Sequence, residues 1–176
     1  MPSKALSGLT HRLVDVDEIL KAHAAVAGAE PGRKRNVGAL NRASVLLLNA
    51  HFEGYLEDAF SEALASYGEN FDARHLHKSF MNPTPDKIDD FFELFGMKRP
   101  SRKISWKKAS NKNVVAALNE LVLTRNKIAP GEKNIAVRKT DVLRYRKYVE
   151  GFARTFDDLL CLHILKVSGK VPWLPS

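Results

Sequence analysis

Apolar residues return every three to four positions at Leu9, Leu13, Val16, Ile19, Leu20 and Ala24, which predicts a first amphipathic helix ending near the glycine-bearing segment 28–32. A second and longer pattern runs over 39–67. There Leu40, Val45, Leu48, Phe52, Leu56, Phe60 and Leu64 fall on or near one face, and Gly68 is a terminator. Segment 70–85, with Asn82, Pro83 and Pro85, reads as an irregular connection. Thr84-Pro85-Asp86 is then an N-cap, a proline at the first helical position and an acidic first turn, opening a short helix through Ile88, Phe91, Phe92 and Phe95 to Gly96. Ser110 or Asn111 caps the next stripe, Val114, Val115, Leu118, Leu121 and Val122, which runs into Arg125. Thr140-Asp141 opens a last long helix through Leu143, Tyr145, Val149, Phe152, Phe156, Leu159, Leu160 and Leu162 to about Val167, with Gly169 beyond it.

No useful strand-like alternation interrupts these stripes, so the expected fold is all-α: a helical bundle of four main helices plus a short one. With 176 residues, no internal repeat and no linker, residues 1–176 read as a single domain. The apolar, proline-bearing tail from Val171 to Pro175 is too short for another helix, and the reading preferred for it is that Trp173 packs back on the bundle.

Composition excludes more than it selects. Hydrophobic residues at 44% and charged residues at 27% are ordinary for a globular chain. The most apolar run, around 43–50, is far shorter than the roughly 20 residues a membrane-spanning helix needs, and Arg42 and His51 flank it. No secretory signal is visible, so a cytoplasmic protein without a membrane span is expected. Cys161, the only cysteine, falls in a leucine-rich helical pattern, where burial is its ordinary fate. A net charge of +8 points to anionic partners, with nucleic acid ahead of the rest.

The charge is unevenly placed. Lys98, Arg99, Arg102, Lys103, Lys107, Lys108 and Lys112 lie in a stretch with no acidic residue and with Trp106 in its midst. Such a run can track a phosphate backbone while the indole stacks on a base; it can equally be a solvated loop whose tryptophan packs on the core. A second basic group, Arg138, Lys139, Arg144, Arg146 and Lys147, follows soon after Arg125. His11, His23, His51, His75, His77 and His163 form no trustworthy metal-ligand pattern with acids or the cysteine, and no glycine-rich phosphate loop or nucleophile elbow is present. No metal and no cofactor is expected.

Three segments, in order, carry a resemblance. The first is Ala50-His51-Phe52-Glu53-Gly54-Tyr55-Leu56-Glu57-Asp58. The second is the apolar 88–97 helix, ending Phe95-Gly96-Met97 and followed by Trp106. The third is Arg125-Asn126-Lys127-Ile128-Ala129-Pro130-Gly131. From about Leu40 onward the chain resembles the HEPN superfamily of small all-α nucleases, in particular its RiboL-PSP and MAE-type members. The third segment matches the family's Arg-Asn-x-Ile-Ala-His-Gly turn at every defined position except the histidine, which is Pro130 here.

The resemblance implies metal-independent RNA cleavage at a homodimer interface, in a protein of the toxin or phage-defence kind with a possible cognate antitoxin. RNA's own 2′-hydroxyl attacks the neighbouring phosphate, so such a site needs a proton acceptor and donor together with cationic stabilisation of the phosphorane. Carried over by position, Arg125 binds the phosphate, Asn126 orients it or holds the turn, and Glu53 positions Arg125. Lys127 joins Arg102, Lys103, Trp106, Lys107 and Lys108 as nucleic-acid-binding candidates. Proline has no titratable group, and proton transfer is typically worth about 10²–10⁴-fold in rate. Three readings stay open: an RNA-acting nuclease disabled at Pro130, a non-catalytic scaffold binding RNA or a protein partner, or a simple basic interaction module with no RNA role. Proline also disfavours the α conformation at Ala129, so the helix is expected to stop near Ile128. Without the resemblance, Arg125-Asn126 would be an ordinary helix C-terminus, with arginine complementing the macrodipole.

Overall fold

In the computed structural model, the described residues are 1–27, 37–67, 81–131 and 135–174. They form α1 (Lys4–Ala27), α2 (Gly38–Tyr67), α3 (Pro85–Glu93), a 3-10 turn (Pro100–Lys103), α4 (Asn111–Ile128) and α5 (Lys139–Ser168). The described residues are all-helical as the apolar stripes predict, with four long helices and one short one. Among the described residues the only sheet-like pairing is an isolated antiparallel bridge between Trp106 and Ala109. The Gly68 terminator and the histidines at 75 and 77 lie outside the described residues.

Capping chemistry sets the helix starts. Thr84 Oγ1 accepts the Lys87 N–H at 3.3 Å and Ser110 Oγ accepts the Asn113 N–H at 3.4 Å, each satisfying a donor that the first turn leaves without an intrahelical partner. Past the other end of α5, Gly169 takes φ 71°, the left-handed conformation that glycine reaches without a Cβ clash, and its N–H donates to Leu165 O at 2.9 Å.

Helix α2 is the axis of the bundle, covered by α1, α5 and α4. Its buried side chains Val45, Leu48, Phe52, Tyr55, Leu56 and Phe60 join one contiguous apolar core with residues of every other helix. Near the C-terminal half of α2, the Phe60 ring meets those of Phe91, Phe92 and Phe95 around α3. Near its N-terminal end, Asn41 Nδ2 donates to Val137 O at 2.9 Å. Because α4 begins beside the 3-10 turn and ends before Val137, it runs antiparallel to α2. That direction delivers residues 125–131 to the end of the bundle where α2 begins.

The tail packs back, as its composition predicts. Trp173 rests on the core, Cys161 is buried with its thiol donating to Trp173 O at 3.0 Å, and the Leu174 N–H reaches Met1 O at 3.0 Å. Among the described residues no helix is long and apolar enough to cross a membrane.

Candidate functional site

Arg125 and Asn126 occupy the last turn of α4, with Arg125 half-buried and Asn126 exposed. Among the described residues the Arg125 guanidinium has no carboxylate partner; its hydrogen bond is the 3.4 Å contact to Asn126 Oδ1. Five other arginines, Arg12, Arg102, Arg144, Arg146 and Arg154, are all in ion pairs. An arginine left with most of its donor fork unused at a helix end is a ready phosphate ligand.

Helix α4 ends at Ile128, where the proline is expected to stop it, but Ala129 keeps right-handed helical angles (φ −59°, ψ −42°) rather than being pushed to extended backbone. Two bonds explain the difference. The Ala129 N–H still donates to Arg125 O at 2.9 Å, and beyond Pro130 the chain reverses at Gly131, whose φ of 79° lets its N–H reach Ile128 O at 3.0 Å. Ala129, Pro130 and Gly131 are all exposed. Pro130 thus sits in a closed, intact turn and brings no proton-transferring group to it.

Among the described residues no bond joins Glu53 to Arg125. Glu53 Oε1 accepts Asn49 Nδ2 at 2.8 Å and the backbone N–H of Asn82 at 2.7 Å. Asn82 has φ 55°, an uncommon conformation for a non-glycine residue, so Glu53 anchors the strained entry to α3. No spacing rule relates residues 53 and 82, so the sequence pattern could not reveal this bond.

The basic segment 98–112 divides. Arg102 is engaged by Asp86 and, at 3.6 Å, by Asp89, so it braces the 3-10 turn against α3. Trp106 and Ala109 exchange backbone hydrogen bonds of 3.1 and 2.8 Å, which places Lys107 and Lys108 at the exposed tip of a tight turn. The Trp106 indole is not displayed with them. It packs against α5, its centroid 5.8 Å from that of Tyr148, and its six-membered ring lies where a Cβ on Gly151 would fall only 2.6 Å from Cζ2. Lys103 is exposed on the 3-10 turn. From Asn111 to Arg125 is ~21 Å along α4 at 1.5 Å per residue, so these lysines and Arg125 mark opposite ends of one helix.

The second basic group is also partly consumed. Arg144 grips Glu120 through bonds of 2.8 and 2.5 Å, and Arg146 Nη2 donates to Asp17 at 2.7 Å. The Arg144 fork holds the Glu120 carboxyl below its usual range, opposed by partial burial and aided by the Tyr145 hydroxyl at 2.9 Å. Two residues from Arg125, Lys127 lines a cleft with Glu120, Thr124, Asp141 and Tyr145. Sequence reasoning missed this cleft, although Glu120, Thr124 and Lys127 share one helix face by spacing.

The described histidines do not complete the turn. His51 faces Asp15 at 3.3 Å, with its pKa lowered chiefly by burial, and His163 Nε2 bonds Phe95 O at 2.8 Å. His23 is buried, which lowers its pKa, with Lys139 adding to the effect.

Comparisons with curated proteins and with solved structures find no match. The family comparison does: the RiboL-PSP-HEPN family matches residues 9–162, which adds α1 to the region where the likeness was visible in the motifs. With the match running through all five helices and the Arg125–Gly131 turn, the chain belongs to the RiboL-PSP-HEPN family.

Proposed function

We propose that this chain is an RNA-binding HEPN protein of the toxin or phage-defence kind, acting in the cytoplasm as a homodimer, whose RNA cleavage is silenced at Pro130. The observation that carries the reading is the uncommitted Arg125 guanidinium beside Asn126 at the end of α4. It keeps the phosphate-binding half of a nuclease site, while Pro130, in the following turn, deletes the proton-transfer half. Exposed Lys127 adds charge beside Arg125, and exposed Lys103, Lys107 and Lys108 put a second cationic group at the other end of α4, suited to a long strand or to an acidic antitoxin. Exposed Leu46 on α2 and Leu123 on α4 offer apolar area to a second copy.

A second reading, a scaffold that binds RNA or protein and for which proline is the working residue, is favoured by how well the turn closes around Pro130. The bond from the Gly131 N–H to Ile128 O is intact and α4 is unbroken up to it.

RNA binding is tested by fluorescence anisotropy with labelled single-stranded RNA over a salt series. Affinity is expected to fall linearly with salt on logarithmic axes, with a slope of about −0.7 per phosphate contact. Arg125→Ala should weaken binding about tenfold, as loss of a charge-assisted bidentate contact does. Absence of salt-sensitive binding contradicts the proposal.

A further inference from the structure

The face of α4 bearing Glu120, Thr124 and Lys127 meets residues 135–137 and the start of α5 at a cleft of about 290 Å³. We propose that this cleft is a base-recognition pocket selecting guanine in single-stranded RNA, beside the phosphate held at Arg125. The proposal rests on the RNA-binding reading above and goes beyond it by naming the base.

The cleft carries polar groups of both kinds, and its acceptors are held by neighbours. Asp141 accepts the Arg138 N–H through Oδ2 at 3.0 Å, which leaves Oδ1 as an acceptor. Glu120 is clamped by Arg144 and the Tyr145 hydroxyl, and Thr124 Oγ1 lies 3.3 Å from that same hydroxyl. Lys127 supplies the cation and has no carboxylate partner among the described residues. Ile135, half-buried, gives the cleft an apolar flank.

Single-stranded RNA bases are read on their exposed Watson–Crick edges. Guanine presents two adjacent donors there, N1–H and the 2-amino group, with O6 as an acceptor beside them. A carboxylate takes the donors and an ammonium the acceptor. Uracil sets two carbonyls around its single N–H, and adenine turns a ring-nitrogen acceptor toward the carboxylate, so neither satisfies the carboxylate and the ammonium together. Sites built on such hydrogen bonds reject analogues that cannot make them. Arg125 follows Thr124 on α4 but projects about 100° further round the helix, so a nucleotide whose phosphate sits at Arg125 must curl round α4 to bring its base to the cleft.

The test uses the full chain and 5′-labelled eight-residue RNAs in anisotropy titrations: oligo-U, oligo-U with one central guanosine, and the same with inosine, which lacks the 2-amino group. The guanosine oligomer is expected to bind about tenfold tighter than oligo-U, with inosine between them, and Asp141→Asn to bring the guanosine-to-uridine ratio to about one. The inosine arm needs no protein variant, so it stands even if Asp141→Asn, at the N-terminus of α5, fails to fold. Equal binding of guanosine and uridine oligomers, or of guanosine and inosine, overturns the pocket and leaves RNA binding intact. Binding of none of them overturns the RNA reading and the pocket with it.

Discussion

Gly151 lies inside the 30-residue α5, where helix propensity alone says that alanine should stabilise the protein by about 1 kcal/mol. The structure predicts the opposite sign. An alanine Cβ would fall 2.6, 2.7 and 3.0 Å from three carbons of the Trp106 indole, against a normal carbon–carbon contact of about 3.5–4.0 Å. The ring must therefore move by about 1 Å. It is flanked by Tyr148, and its backbone is tied down by the paired bonds to Ala109, so that movement disturbs both neighbours. Overpacking of this kind costs about 1–3 kcal/mol. With three close ring contacts the upper half of that range applies, and subtracting the propensity gain leaves a net loss of about 1–2 kcal/mol. Urea titration should show this as a lower midpoint at unchanged slope, and thermal melting as a fall of about 2–8 °C. In a Trp106→Leu background the clash is gone, and Gly151→Ala should then stabilise. If Gly151→Ala stabilises the parent protein, the indole is not seated on α5 and a base-stacking role for Trp106 reopens.

Other outcomes follow from single bonds. Asn41→Ala strips the donor from the Val137 carbonyl at the buried junction between α2 and the segment after the signature turn, and should cost about 1–3 kcal/mol in urea unfolding; unchanged stability would mean that water already serves that carbonyl. Thr84→Ala removes the cap of α3 and should cost about 1 kcal/mol, whereas Thr84→Ser should cost little. Asp157 is buried under the Ser3 N–H and hydroxyl, and burial raises its pKa despite those two bonds. A raised carboxyl pKa means that the native state holds more protons than the unfolded chain, so this group's contribution falls as pH rises from the ordinary aspartate value through the raised one. Relative to Asp157→Asn, the parent should lose stability across that window in pH-dependent urea titrations; parallel profiles would refute the assignment.

How much was legible depends on the range of the interaction. Helix starts at Thr84 and Ser110 and the stop at Gly169 are local chemistry, set by a side-chain oxygen or a missing Cβ within a few residues, and the sequence displays them directly. The core stripes were equally plain because burial repeats with the helix period. The 3-10 turn was hidden inside a basic run: charge dominated the reading of 98–112, while Pro100, Ser101, Ile104 and Ala109 are buried beneath it. Long-range pairing was the blind spot. Glu53 meets Asn82, Arg102 meets Asp86 and Asp89, and Arg144 meets Glu120, and nothing in sequence spacing announces these partners. Two of these pairings take an arginine out of the cations free to hold an anion, whereas Arg125 has no carboxylate partner among the described residues.

The most direct test of the central claim is the ribonuclease activity of Pro130→His. The substitution restores an imidazole to an exposed turn already closed by the Ala129 and Gly131 N–H bonds, so the fold should persist. If the turn is a nuclease site lacking only its proton-transfer group, purified Pro130→His should cleave single-stranded RNA in the presence of a chelator, at least 10²-fold faster than the parent. Adding Arg125→Ala should abolish that gain. RNA left intact by a folded Pro130→His protein that still binds it contradicts the claim and makes the turn a binding surface alone.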